Sequence, residues 1–245
     1  MPKLFSVQKR ELNTNQQKSL IVWGENSIGL RLFKGIWGDK LTKKQKEIIK
    51  LPKKVKSILI GILLSDGWIQ RSKKNWSPRI GIKQSIKNVS FLLTILIDIS
   101  YLCPPTKIIL NSNNLRGKLF HTCYIQTRAL SIFMEVIKLL YIDKNGKLVR
   151  NIQEELVSSL DYITLAYWIM GDANKLHGGL VLNTNGFTLK EVIMLTNMLI
   201  INFKINPTLH KDRGRYKIYI WKKDLEKIKP KIEPYIIPHF KYKIN

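Results

Sequence analysis

The chain has 245 residues, enough to bury a sizeable core, and its two cysteines, Cys103 and Cys123, cannot form a disulfide framework or a four-ligand zinc site. Its 42 Lys and Arg against 17 Asp and Glu give a formal net charge of +25, which calls for a polyanionic partner, nucleic acid or an anionic membrane. No run of 18 apolar residues exists, so a membrane span is not expected.

Residues 1–54 read as a basic leader. Its first twenty residues lack the apolar core of a signal peptide and mix Glu11 with their bases, which makes a poor targeting segment. Lys, Ile and Asn dominate the composition, as an AT-rich gene gives, and that is compatible with an organellar genome. Thr42 is placed to N-cap a short helix through about Ile49, and Pro52 then resets the chain.

From Val55 the chain nearly repeats itself. The apolar run 57–64 ends in Ser65-Asp66-Gly67, and the run 165–170 ends in Gly171-Asp172-Ala173, with the aspartates 106 residues apart. Helix candidates at 85–92 and 186–195 follow, with Val89 and Val192 matched 103 residues apart. Arg116-Gly117-Lys118 before 124–130 answers Arg213-Gly214-Arg215 before 219–225. The shrinking offset fits insertions confined to loops.

Residues 79–85 alternate, with Ile80 and Ile82 inward and Arg79, Lys83 and Ser85 outward; residues 215–221 alternate likewise. The predicted fold is therefore α+β, with two pseudo-twofold αββαββα lobes whose antiparallel sheets form a saddle-shaped DNA-binding surface. Lobe one spans 55–142, lobe two 160–245, and 143–159 links them, entered by the turn Asp143-Lys144-Asn145-Gly146.

Both apolar helices end in small residues around one Asp. Gly61 and Ser65 lie four apart, and Ala166 and Gly171 are also small, so the helices can pack backbone to backbone and bring their C-termini together. A carboxylate there meets the unfavourable end of the helix dipole, and two of them repel. Either aspartate alone reads as a solvated residue after a core helix. The pair, in so basic a chain, points instead to a divalent metal with oxygen ligands, completed by phosphates and water, and so to phosphodiester cleavage.

Residues 59–67, Leu-Ile-Gly-Ile-Leu-Leu-Ser-Asp-Gly, and 165–173, Leu-Ala-Tyr-Trp-Ile-Met-Gly-Asp-Ala, resemble the paired motifs of LAGLIDADG homing endonucleases, especially the monomeric, two-motif kind encoded in mitochondrial introns. Residues 179–184, Phe187-Thr188, 234–238 and Tyr242-Lys243 extend the resemblance, which covers roughly 50–245. It implies Mg²⁺-dependent double-strand cleavage of a long asymmetric DNA target, leaving short 3′ overhangs, with Mn²⁺ or Ca²⁺ able to substitute in binding. It places metal on Asp66 and Asp172 and a basic residue beside each centre: Lys243 for one, and Arg150, with Lys147 as the alternative, for the other. It implies a monomer, organelle-encoded in a fungal mitochondrion. Two departures stand out. Ala173 replaces a common glycine, which threatens a turn needing positive φ, and Gly171 stands where an extra Asp is frequent.

Side chains suited to base readout or phosphate contact are Gln70, Arg71, Arg79, Lys83, Gln84, Arg116, Lys118, Thr122, Tyr124 and Gln126 in lobe one. In lobe two they are Asn174, Lys175, His177, Asn183, Arg213, Arg215, Lys217 and Tyr219. His121, by register with Tyr216, is expected inward, and Tyr167 and Trp168 are expected to pack rather than stack on bases. The four histidines lack metal-ligand spacing. The competing reading keeps the fold and changes the partner to intron RNA, as in a splicing maturase.

Overall fold

Helix α1 (Lys43–Glu47) begins in a capping box, Thr42 and Gln45 each serving the other's backbone N–H, and ends at Ile48, close to the sequence expectation. The computed structural model describes residues 41–104, 108–115 and 117–245, so the leader through residue 40 and Arg116 lie outside the described residues. Pro52 then N-caps α2 (Lys53–Leu64), where a missing backbone N–H costs nothing.

Two four-stranded sheets follow with one topology. In the first, β1 (Gly67–Gln70), β2 (Arg79–Ser85), β3 (Ile109–Leu115) and β4 (Lys118–Gln126) are ordered β1-β2-β4-β3, all antiparallel, with α3 (Val89–Ile99) between the hairpins. Helix α4 (Met134–Leu140) closes that unit. The second opens with α5 (Tyr162–Asp172) and orders β7 (Ala173–Leu176), β8 (Gly179–Leu182), β9 (Thr208–Asp212) and β10 (Arg215–Ile220) as β7-β8-β10-β9. Helix α6 (Leu189–Phe203) lies between its hairpins and α7 (Lys222–Ile232) after them. This is the αββαββα order expected, twice.

The connecting segment is more structured than a linker. Strands β5 (Tyr141–Lys144) and β6 (Lys147–Arg150) form a separate hairpin through Asn145 (φ 53°) and Gly146 (φ 83°), and a 3₁₀ segment follows at Glu154–Ser159. Four-residue strands are too short to show alternation, so only the turn was visible in sequence.

Helices α2 and α5 are buried nearly all round, which is why neither shows a polar stripe; Ile58, Leu59, Ile60, Leu165, Ala166 and Trp168 are fully enclosed. They touch at their backbones. A Cβ on Gly61 would come within 2.6 Å of the Thr164 carbonyl oxygen and 2.7 Å of Tyr167 Cβ. At the amino ends Asp161 caps α5 by accepting from the Thr164 amide (2.8 Å), and it also accepts from Ser57 Oγ on α2 (2.7 Å). The helices therefore pack backbone to backbone as the small residues suggested, with Gly61 against Thr164, Tyr167 and Trp168. Tyr167 and Trp168 are packing residues: Tyr167 lies against Phe91 and donates to Asp98 (3.1 Å), and Trp168 is enclosed. Both cysteines are buried.

Candidate active site and nucleic-acid face

The two helix ends converge. A Cβ added to Gly171 would overlap Ser65 Oγ, come within 2.5 Å of Ser65 Cβ and lie 3.5 Å from Asp66 Oδ2, so Asp66 sits against the last turn of α5. The contact leaves no room for a side chain at residue 171. Helix α2 stops at Leu64, and Ser65 returns its hydroxyl to the Gly61 and Ile62 carbonyls (3.0 and 3.1 Å); α5 runs two residues further in register, through Asp172.

The concern over Ala173 does not materialise. Its φ is −98°, ordinary extended backbone, so no left-handed turn is needed. Gly67, its counterpart, is required by contact: a Cβ there would lie 2.6 Å from Ile62 Cγ2.

Each aspartate has an amide neighbour and a share of a basic one. Gln84 Nε2 donates to Asp66 Oδ2 (2.5 Å), is itself held through Oε1 by Asn88 Nδ2 (2.9 Å), and Asn88 Oδ1 lies 3.1 Å from His239 Nε2. Asn183 donates to the Asp172 backbone carbonyl through both its side chain (2.8 Å) and its amide (3.1 Å). Lys243 is buried and donates to the Ile169 and Met170 carbonyls (3.1 and 2.7 Å), with Phe240 beneath its ammonium. Arg150 reaches the Leu63 carbonyl (3.5 Å) and the Tyr141 hydroxyl (3.3 Å) and stacks over Phe187. Leu63 precedes Asp66, and Ile169 precedes Asp172, by three residues. The two bases therefore occupy equivalent posts at the electron-rich ends of the paired helices. Lys147 is exposed at the far end of β6, so Arg150 is the residue brought to the site.

Burial raises the Asp172 pKa to about 6, the Asp66 charge adds to the rise, and Lys243, Asn183 and Arg150 oppose it. Asp66 is raised as well, by burial, against the Gln84 hydrogen bond and Lys243. Burial lowers Lys243 to about 8, against the pull of both carboxylates. A folded-state acid raised from 3.8 to about 6 binds more protons folded than unfolded, so its contribution to stability is lost as pH rises through that window. We expect the metal-free protein to lose about 1–2 kcal/mol of stability between pH 4 and 6.5, a figure discounted for partial exposure. Thermal melts across that range should show the fall, and Asp172→Asn should flatten it.

Replacing Gln84 by Leu should remove the donor that holds Asp66 ionised. The acidic limb of the cleavage pH profile is then expected to move to higher pH, with Gln84→Asn closer to wild type; unchanged profiles for both would show the contact to be idle.

Register sorts the remaining expectations by face. On the first sheet Gln70, Arg79, Lys83, Lys118, Thr122, Tyr124 and Gln126 share the outer side, away from α3, with Trp68 laid across Gly81 and edge-on to Tyr124. Gln126 donates to Gln70 (2.8 Å) on that face. On the second sheet Asn174, Arg215 and Lys217 share the outer side, and His177 (φ 47°) and Arg213 (φ 50°) occupy exposed hairpin turns. Lys217 is paired with Asp212 (2.6 Å).

Five expectations need correction. Gln84 is buried on the core side of β2, serving Asp66 instead of DNA bases. Arg71 has a side chain only 7% exposed, bound to Asp143 (2.6 Å), which fastens the end of β1 to the β5–β6 hairpin. Lys175 faces the opposite side from Asn174 and donates to the carbonyl of Asn245. Tyr219 is on the outer face but 4% exposed, packed between His210 and Trp221 with its hydroxyl on the Leu176 carbonyl. His121 keeps the inward parity of Cys123, but β4 extends past the helix layer there, so it is exposed and 2.8 Å from Ser112 Oγ. Sequence reading missed Asn111 and Asn113, on the outer face of β3, and His210 on β9. Residues 109–115 mix polar and apolar positions without strict alternation, so only pairing with β4 reveals their side.

Among the described residues no three His, Cys, Asp or Glu side chains gather as a metal site. Two partly buried carboxylates at adjoining helix ends suit a cation whose other ligands come from outside the protein.

Comparison with known proteins agrees with this architecture. The family model described as the LAGLIDADG DNA endonuclease family matches residues 56–228. The chain is 30% identical over 99% of its length, and 96% of the relative's, to the cytochrome b mRNA maturase bI2 of Debaryomyces hansenii. It is also 30% identical to the probable intron-encoded endonuclease 1 of Wickerhamomyces canadensis, covering 93% and 95% of the two chains. Against the Saccharomyces cerevisiae maturase bI2 it is 30% identical over 77% of this chain but spans only 47% of that protein. Among solved structures, the homing endonuclease I-WcaI bound to its DNA recognition sequence superposes with a TM-score of 0.74 at 28% identity, over 94% of this chain and 97% of the other. With a motif pair, a doubled αββαββα fold and a family match over most of its length, this chain belongs to the LAGLIDADG DNA endonuclease family.

Proposed function

We propose that this protein is a monomeric, site-specific endonuclease that makes a double-strand break with short 3′ overhangs in a long asymmetric DNA target. The observation that carries this reading is the meeting of Asp66 and Asp172 at two backbone-packed helix ends, each beside a cation that binds the carbonyl three residues upstream. Asp66 and Asp172 are the residues that would hold Mg²⁺, with Mn²⁺ or Ca²⁺ able to replace it in binding. Bound there, a divalent ion supplies an activated water and charge neutralisation at the phosphate.

The chain's own residues do the rest. Gln84 keeps Asp66 oriented and ionised, while Lys243 and Arg150 offer positive charge to the phosphate as its negative charge grows. Gln70, Arg79, Lys83, Lys118, Thr122, Tyr124, Gln126, Asn174, Arg213 and Arg215 provide base and backbone contacts, and two sheets in one chain give a footprint that need not be palindromic. We place the protein in a fungal mitochondrion, which the named yeast relatives support. The two relatives named as mRNA maturases favour a second reading in which intron RNA is also bound.

The test is Mg²⁺-dependent cleavage of a randomised-site DNA library, with splicing of precursor RNA assayed in parallel. Metal-dependent breaks at one sequence are expected; splicing activity without any DNA cleavage would sink the nuclease reading.

A further inference from the structure

A second concentration of charge lies at the opposite end of α2 from Asp66. Residues 43–56 contain seven lysines, Lys43, Lys44, Lys46, Lys50, Lys53, Lys54 and Lys56, and one acid, Glu47. All but the half-buried Lys56 are exposed, and only Lys54 has a carboxylate partner among the described residues, Asp98 at 2.6 Å. The first turn of α2 holds no acidic residue. Lysines at the positive end of a helix dipole oppose stability, so local folding does not account for them. Nor are they a loose tail. Leu41 and Ile49 are buried, the Thr42 capping box fixes α1, and Tyr101 donates its hydroxyl to the Lys50 carbonyl (3.2 Å), so the ammonium groups stand on an anchored scaffold.

Twelve helical residues separate this pole from the carboxylate end by about 18 Å. Duplex DNA is stiff, with a persistence length of about 150 base pairs, so a target lying on the sheets beside Asp66 would reach the amino end of α2 as well only at a cost in bending energy. We propose that this lysine pole is a second nucleic-acid surface, one that holds the phosphate backbone of a structured RNA while the sheets remain free for DNA. The inference deepens the RNA reading given above and assigns it a place. Point-charge ammonium groups without neighbouring bulky aromatic side chains on α1 fit backbone contact in place of base readout.

The experiment uses the full chain and a variant with Lys43, Lys44, Lys46 and Lys50 all changed to Ala. Labelled RNA hairpin is titrated into protein already saturated, in Ca²⁺, with a DNA duplex recovered from the cleavage library. Wild type is expected to form a ternary complex. The variant should bind RNA about tenfold or more weakly, with the slope of log K against log salt reduced by about 3, and cut DNA at the wild-type rate. A companion variant, Arg79→Ala with Lys83→Ala, separates the possible failures. If RNA binding falls only in that companion, or if DNA displaces RNA from wild type, the lysine pole is not the RNA surface although RNA binding survives. If no form of the protein binds RNA, both the surface and the RNA reading fall. Binding of phosphatidylserine-rich vesicles, but not RNA, through the four lysines would also overturn the proposal.

Discussion

Asp66→Asn and Asp172→Asn are each expected to abolish double-strand cleavage, lowering the rate by about a thousand-fold or more, roughly 4 kcal/mol of barrier, while DNA affinity in Ca²⁺ changes little. Asn keeps the size and removes the charge, so any loss belongs to the anion and not to packing. Asp172 ends α5, and among the described residues no third His, Cys, Asp or Glu joins it and Asp66 as a cation ligand. Neither half can therefore compensate for the other. Supercoiled-plasmid cleavage gives the measurement: linear product from either variant at near-wild-type rate would remove these residues from the chemistry.

The second large effect is on the helix pair itself. Gly171→Ala is expected to destabilise the protein by about 2–3 kcal/mol, because its methyl group overlaps Ser65 on a helix that cannot move aside without losing the Gly61 contact. The gain of about 1 kcal/mol in helix propensity from Gly to Ala is too small to offset it. Ser65→Gly removes the atoms in the way and loses the hydroxyl's bonds to the Gly61 and Ile62 carbonyls, about 1 kcal/mol. The double variant should then be more stable than the sum of the two singles by about 2 kcal/mol, readable by urea unfolding. Additive single effects would mean the helices are not in contact at this level.

Much of this was written in the chain because the two halves repeat. The run into Asp66 and the run into Asp172 mark α2 and α5 directly, and the alternation at Ile80 and Ile82 gives β2 its faces. Apolar periodicity reports burial, so it found the elements that face the core. It could not report contacts between elements distant in sequence. Gln84 follows the same alternation as Ile82 and was therefore on the core side, yet its polar head suggested bases until Asp66 was seen beside it. Arg71 looked free because its partner, Asp143, is 72 residues away in a hairpin too short to predict. Ala173 drew suspicion from a motif rule about turns, whereas the actual constraint is the closeness of Ile62 to Gly67 in the other half. The assignment of Arg150 over Lys147 needed only the direction of β6, which places one near the Leu63 carbonyl and the other outside.

Asp161 has one more effect. By gripping Ser57 with one oxygen and the Thr164 amide with the other, it clasps the two rods at the end remote from their acids, while glycine contact sets their spacing along the way. The opening between the acids is thus a calibrated gap, fixed by atoms inside the protein before any ion arrives. An oversized ion could widen it only by levering against that distant clasp.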